Sequence, residues 1–247
     1  MDRWDIAETR DQMVALFDSG QLVLARNCLR AVDVRFRHSQ YHFQEIQRLL
    51  RAHFDDRLEI TDMVSLTFFP GPEEQNALEA CLIRVEAHMI ACAQSIHSVA
   101  DALAHVVYYG IGGNLSPNPL AEGRISLGSV VVRLQERGPS CLEIEQALAT
   151  LRADPGFDHI DAIVNYGKHR GLPDPRLQIG PEGSDSPYAM EFGGFEFRSK
   201  RHADTEFEAV LAPAYAATSR AVVDTGRAIN RFLATLVAAG SLSKPSG

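Results

Sequence analysis

Leu78, Leu82, Val85, Met89, Cys92, Ile96, Val99, Leu103 and Val106 follow one another at alternating intervals of four and three residues, without a slip, over four heptads. Such spacing averages 3.5 residues. It places every one of these side chains on one face of a helix that is shaped to pack on another helix, and it is incompatible with the period of two in a strand. Two more stripes share the rhythm. One runs through Leu22, Ala25, Leu29, Val32, Phe36, Ser39, Phe43, Ile46 and Leu50. The other runs through Leu211, Tyr215, Thr218, Val222, Thr225, Ile229, Phe232 and Leu236. The spacing therefore predicts helices over about 22–54, 73–109 and 205–238, the first of them about 50 Å long at 1.5 Å per residue. Three seams of similar length need one another. The expected fold is mainly α, a bundle of three long antiparallel helices whose open face is covered by shorter ones.

Start and stop signals fill in the rest. A first amphipathic segment runs from Asp5 to Phe17 and ends at Gly20. Pro72 with Glu73 and Glu74 opens the second long helix, since proline is tolerated in a first turn and acids suit the positive end of the dipole. Gly110-Ile111-Gly112-Gly113-Asn114 closes it with residues that accept a left-handed backbone. A shorter helix is expected from Ile125 to Glu136. Ser140 and Glu143 match a capping box that would start a helix over 141–152. Asp154-Pro155 starts another, with Phe157, Ile160 and Val164 as its apolar stripe, ending at Arg170 before Gly171 and Pro173. Asp204 is expected to cap the last long helix, with Pro213 in its first turns.

Two stretches read as extended. Residues 58–71 are rich in β-branched and aromatic side chains and end at Pro70-Gly71-Pro72. Residues 176–200 alternate with period two, and Gly193-Gly194 between two such runs predicts a two-residue hairpin in a small antiparallel meander. The expected organisation is one domain over 1–240 with the meander as an insertion, followed by a disordered tail at 241–247.

The net charge is −8, which disfavours a surface devoted wholly to nucleic acid but leaves room for a local basic patch. Met1-Asp2-Arg3-Trp4-Asp5 lacks the apolar core of a signal peptide, and no apolar stretch approaches the roughly 20 residues that cross a bilayer. Cys28, Cys81, Cys92 and Cys141 are scattered, with no C-x-x-C pair, and read as reduced buried hydrophobes. These features predict a cytoplasmic protein without membrane contact, metal or cofactor.

Three sets of polar residues could carry chemistry. His97, Asp101 and His105 lie four residues apart along one flank of the second long helix. Asp–His pairs can do acid–base work, although two turns, about 12 Å, separate the histidines; the plainer reading is a solvated or interhelical polar face. Asn165, Lys168, His169 and Arg170 end the helix that begins at Pro155. The helix dipole accounts for the cations but not for Asn165, a poor helix former placed mid-helix; the alternative is an anion- or nucleotide-facing site. Arg35, Arg37, His38 and His42 form the third set. There His38 and His42 are spaced for one face, and Arg37-x4-His42, like Arg48-x4-His53, has the loose R-x4-6-H spacing in which a histidine and an arginine on one helix can deprotonate a ribose 2′-OH and stabilise phosphate charge. The basic run Arg198-Ser199-Lys200-Arg201-His202 would matter if it folded near Lys168-His169-Arg170. There is no P-loop, no G-x-G-x-x-G after a strand, no H-E-x-x-H and no G-x-S-x-G. The long helices also lack the E-x-x-H pairs of di-iron bundles.

Ser98-Val99-Ala100-Asp101-Ala102-Leu103-Ala104 on a long helix, with Val164-Asn165-Tyr166-Gly167-Lys168-His169-Arg170 further on, resembles a group of uncharacterised bacterial all-helical proteins that carry an S-x-x-D helix and an N-x-x-K-H-R segment. The architecture also resembles the HEPN class of helical bundles, which includes ribonucleases. That class carries its R-x4-6-H near the last helix, whereas here the matches fall in the second. The resemblance implies an activity directed at nucleotides or RNA. In that reading Lys168 and Arg170 hold phosphate, His169 is the general acid or base, Asn165 orients the substrate, and Asp101 or His105 assists. The competing expectation is a binding or assembly module without turnover, in which long seams pair across a homodimer.

Overall fold

A computed structural model describes residues 3–54, 71–180 and 188–242. The protein is mainly α, with seven α-helices among the described residues and a few short antiparallel strands. In chain order the helices are α1 (Ile6–Leu16), α2 (Ser19–Phe54), α3 (Pro72–Gly110), α4 (Leu127–Arg137), α5 (Leu142–Ala153), α6 (Pro155–His169) and α7 (Phe207–Leu242). The strands are β1 (Pro175–Ile179), β2 (Tyr188–Phe192), β3 (Phe195–Phe197), β4 (Lys200–His202) and β5 (Thr205–Glu206). The three long helices lie where the seams predict them. Ala25, Val32, Ile46 and Leu50 on α2, Val85, Met89, Cys92, Ile96, Val99 and Leu103 on α3, and Leu211, Thr218, Thr225 and Ile229 on α7 are all buried. Each valine, leucine, isoleucine and methionine among them contributes about 1.5–3 kcal/mol on burial. The expected strand region 58–70 and the tail residues 243–247 lie outside the described residues.

The chain packs into two compact units. The first holds Met1–Arg35, Ser98–Phe157 and Tyr215–Gly247, and the second holds Phe36–His97 and Asp158–Ala214. In the first unit, α1 is capped by Asp5, whose carboxylate accepts from the Glu8 N–H at 3.0 Å. Asn230 of α7 ties α1 in place: its Nδ2 donates to the Asp5 carbonyl and to Glu8 Oε2, both at 2.8 Å, and its Oδ1 accepts from the Thr9 hydroxyl. The start of α2 meets the end of α3 through Gln21 Nε2, which donates to the Tyr109 carbonyl and to Asn114 Oδ1, both at 2.6 Å. Gly112 takes the left-handed backbone expected at that helix end, with φ 70° and ψ 31°. Val130, Val131 and Leu134 of α4 and Ile144, Leu148 and Leu151 of α5 are buried where these two helices pack together.

In the second unit, α2 and α3 run antiparallel. Cys92 Sγ reaches the Ser39 carbonyl at 3.2 Å, His42 faces His88, and Cys81 Sγ approaches the Leu49 carbonyl at 3.7 Å. Burial pushes the Cys92 thiol up to about 12, which suits a hydrophobe rather than a nucleophile. Cys81 and Cys141 are also buried; Cys28 is only half-buried. The α3 helix is more apolar than the sequence reading allows. An 18-residue window has a mean hydropathy of 1.2, long and apolar enough to cross a membrane, and 61% of that window is buried within the protein, as in a core helix.

Four local expectations are corrected. Gly193-Gly194 is not a hairpin turn. β2 pairs with β1, from Ile179 opposite Tyr188 to Pro175 opposite Phe192, and on its other edge with β5, whereas β3 pairs with β4 in a separate two-stranded sheet. The two glycines carry the chain from one sheet to the other, and Gly193 N–H donates to the Asp174 carbonyl at 2.7 Å, an approach that leaves no room for a Cβ. Asp204 does not cap α7, because its carboxylate instead accepts from the Gly194 N–H at 2.6 Å and from Arg176 at 3.0 Å, and Thr205-Glu206 pair as β5 before the helix begins. Ser140 makes no capping box: it lies in a 3-10 turn over Pro139–Cys141, while Ser126 and Ser129 form the box that starts α4. Gly20 sits inside α2 rather than ending α1.

Candidate functional site

A row of polar side chains lies on one face of α6. Asp154 starts this helix, its carboxylate accepting from the N–H groups of Gly156 at 2.9 Å and Phe157 at 3.1 Å. Along the helix, Asp158, Asp161, Asn165 and then Lys168 and His169 recur at steps of three or four, which keeps them on one side. Phe157, Ile160, Ile163 and Val164 are buried on the other.

Asp161 is the centre of the arrangement. His97 of α3, itself buried, brings Nε2 to 3.0 Å from Asp161 Oδ1. Asn165 Nδ2 donates to the same Oδ1 at 2.8 Å and to the Asp161 carbonyl at 2.8 Å. Arg198 Nη1 lies 3.4 Å from Oδ2, with its guanidinium 4.8 Å above the Phe197 ring centroid. The hydrogen bond from His97, together with the charges of His97 and Arg198, holds the Asp161 carboxyl below the usual carboxylate range against the opposing effect of burial. An ionised carboxylate that fixes one imidazole nitrogen sets the tautomer and orientation of the ring, which is what a histidine needs in order to move a proton.

The basic run folds against Asp158 and Asp161 of α6, about two turns before Lys168-His169-Arg170. Arg198 and Ser199 both take left-handed backbones, with φ 48° and 62°, and reverse the chain between β3 and β4. This turn lies along α6, with Arg198 at Asp161 and Lys200 paired with Asp158. Lys168 is seven residues beyond Asp161 on the same face, about 10 Å along the axis. Lys168, His169 and Arg170 are exposed and form no ion pair among the described residues.

No family model, curated protein or solved structure matches the chain. The site is therefore read from its own geometry.

Asn165 meets Asp161 one turn back instead of a free surface, which resolves its unfavourable mid-helix position. His169 is the last residue of α6 and is exposed. Asp101 and His105 belong to the first unit, where the His105 Nδ1 donates to the Asp101 carbonyl at 2.8 Å. Arg35 belongs to the first unit, and Arg37, His38 and His42 to the second. His42 Nδ1 lies 2.9 Å from His88 Nδ1, and His53 packs edge-on against Phe54. No group of three or more His, Cys, Asp or Glu side chains among the described residues is arranged to hold a metal ion.

Two features were not anticipated. Asp161 carried only the signal of its position one turn before Asn165. A ring stack also joins α6 to the smaller sheet: Phe195 and His202 are parallel at 4.7 Å, His159 lies 4.8 Å from His202, and Tyr166 packs on Phe195 at 4.9 Å. Burial, aided by the neighbouring His202 and Lys200, lowers His159 to about 4, and burial likewise lowers His202.

Proposed function

We propose that the protein engages a phosphate-bearing ligand, a nucleotide or RNA, along the exposed face of α6 and the adjoining β3–β4 turn, with His97 and Asp161 as its acid–base pair. The observation that carries this reading is the convergence of His97, Asn165 and Arg198 on the Asp161 carboxylate. Asn165 and Asp161 act as positioning residues, and His97 holds the mobile proton. Arg198 and Lys200 are matched by Asp161 and Asp158, but these pairs are solvent-exposed and weak, on the order of 0–1 kcal/mol each, so a phosphate can displace them. Lys168 and Arg170 supply the remaining attraction. Lys168 lies about 10 Å along the axis from the Arg198–Asp161 pair, a spacing that suits successive backbone phosphates better than a single small anion. The HEPN-like resemblance points to the same class of substrate.

The test is fluorescence anisotropy of a labelled single-stranded RNA and of a labelled ATP analogue at two salt concentrations, together with a cleavage or hydrolysis assay. Lys168→Ala/Arg170→Ala is expected to weaken binding at least tenfold and to reduce the salt dependence. His97→Gln is expected to abolish turnover while binding survives. Wild-type protein that binds neither ligand would overturn the reading.

One observation favours a second reading, a binding or assembly module without turnover: Asp161 is fully engaged by the chain's own groups, as in a structural lock. Binding that survives with no turnover in the wild type selects it. A light-scattering mass then reports whether the partner is a second copy of the chain.

A further inference from the structure

We infer that His42 and His88 form a two-histidine clamp for a late divalent transition-metal ion, Cu(II) or Ni(II), on the flank of the α2–α3 pair in the second unit. His42 Nδ1 and His88 Nδ1 approach each other head-on at 2.9 Å across the two antiparallel helices. In the metal-free protein this contact is a hydrogen bond in which one neutral ring donates its Nδ1 proton to the other. With the ring centroids 5.1 Å apart, the two nitrogens point at one another, and a metal ion takes the place of that proton when each ring tilts so that both nitrogens aim at a common point beside the line that joins them. With metal–nitrogen bonds of about 2.0–2.1 Å, nitrogens 2.9 Å apart subtend an angle close to 90° at the ion. That is the angle between neighbouring ligands in a square-planar or tetragonal site, the preference of Cu(II) and Ni(II); a tetrahedral zinc site would need a separation of about 3.4 Å. Imidazole is a favoured ligand for both ions, and copper stands at the top of the affinity order.

The rigidity of the site supports the inference. The backbones that carry the two histidines are fixed on either side, by Cys92 on the Ser39 carbonyl and by Cys81 on the Leu49 carbonyl. Tyr41 packs edge-on against both rings, at 5.3 Å from His42 and 6.0 Å from His88. Both histidines are half-buried, so the remaining coordination positions open to water. Two protein ligands are consistent with the absence of any three-residue cluster among the described residues. On binding, the ring that donates its Nδ1 proton takes the Nε2–H tautomer, so both rings ligate as neutral imidazoles with no net proton release and no change of oxidation state.

The experiment titrates tag-free full-length protein with CuCl2 or NiCl2. Stoichiometry is read by native mass spectrometry, and the copper ligands by electron paramagnetic resonance. One ion per chain is expected, with superhyperfine coupling to two nitrogens. His42→Ala and His88→Ala should each weaken binding at least tenfold, and His169→Ala should leave it unchanged. Should either alanine variant unfold, His88→Gln keeps the ring contact's volume and removes the ligand. The wild-type nitrogen count needs no variant at all. No stoichiometric ion, a single-nitrogen spectrum, or undiminished binding in folded His42→Ala or His88→Gln protein would overturn the proposal.

Discussion

His97 Nε2 lies 3.0 Å from Asp161 Oδ1, joining α3 to α6 within the second unit across 64 positions of sequence. The carboxylate also accepts from Asn165, which keeps the Asp161 carbonyl as an acceptor, so removing it withdraws one hydrogen bond from each of two side chains. Asp161→Ala is expected to destabilise the protein by about 1–3 kcal/mol through the loss of these charge-assisted hydrogen bonds. Arg198→Ala removes only an exposed contact at 3.4 Å and should stay within about 0.5 kcal/mol. Urea denaturation of both variants checks the contrast; equal effects would show that Asp161 is not the hub.

The stack of His159 on His202 predicts acid sensitivity of the second unit. His159 falls from an ordinary 6.5 to about 4, chiefly through burial. A histidine with a depressed folded value binds fewer protons folded than unfolded, so its contribution is complete above pH 6.5 and is lost as pH falls towards 4. The whole shift would correspond to about 3 kcal/mol; with part of the ring still solvated, about 1–2 kcal/mol is expected. Asp161, also depressed, is lost in the same direction but lower, below the usual carboxylate range. His159→Phe keeps the ring stacking and removes the titration. Its stability should vary less between pH 6.5 and 4 than that of the wild type, as measured by chemical denaturation at each pH.

The long helices were legible because their information is local and repeated: each seam restates one register from Leu78 to Val106, or from Leu22 to Leu50. The anomaly at Asn165 was legible too, as a residue whose presence mid-helix needed a reason. The reason itself was not. Asp161 acquires its meaning from His97 and Arg198, which lie far off in sequence, and no spacing rule brings them together. The same holds for Gly193-Gly194 and Asp204. Locally they look like a hairpin turn and a helix cap. The pairing of Glu191 and Phe192 with Glu206 and Thr205, and the capture of Asp204 by Gly194 and Arg176, are decided by tertiary contacts that outbid the local signals.

Ser199 gives a test of the turn that presents Arg198 and Lys200. Its φ of 62° is a conformation that glycine adopts without steric cost. Ser199→Gly is expected to be neutral or to stabilise by up to about 1 kcal/mol, whereas Ser199→Val, β-branched, should destabilise by about 1–2 kcal/mol. Thermal unfolding of the pair reads both signs, and a neutral valine variant would mean that the turn is not held in this geometry.

Trp4 and Gly226 offer a reporter for the first unit. Gly226 lies inside α7, where glycine is normally a liability of about 1 kcal/mol. Here it makes room for the indole, since an added Cβ would overlap the Trp4 ring. The indole Nε1 in turn donates to the Thr9 hydroxyl at 2.8 Å, and Thr9 reaches Asn230 one turn along α7. Gly226→Ala should therefore lose the usual helical advantage of alanine and expel the indole, at a net cost of about 1–3 kcal/mol from overpacking. Trp4 is the only tryptophan in the chain, so its emission reports this region alone. A red shift in Gly226→Ala is expected, and Thr9→Val should give a smaller shift by removing only the hydrogen-bond partner. An unshifted spectrum with raised stability in Gly226→Ala would show that α1 and its preceding residues do not pack on α7 in this way.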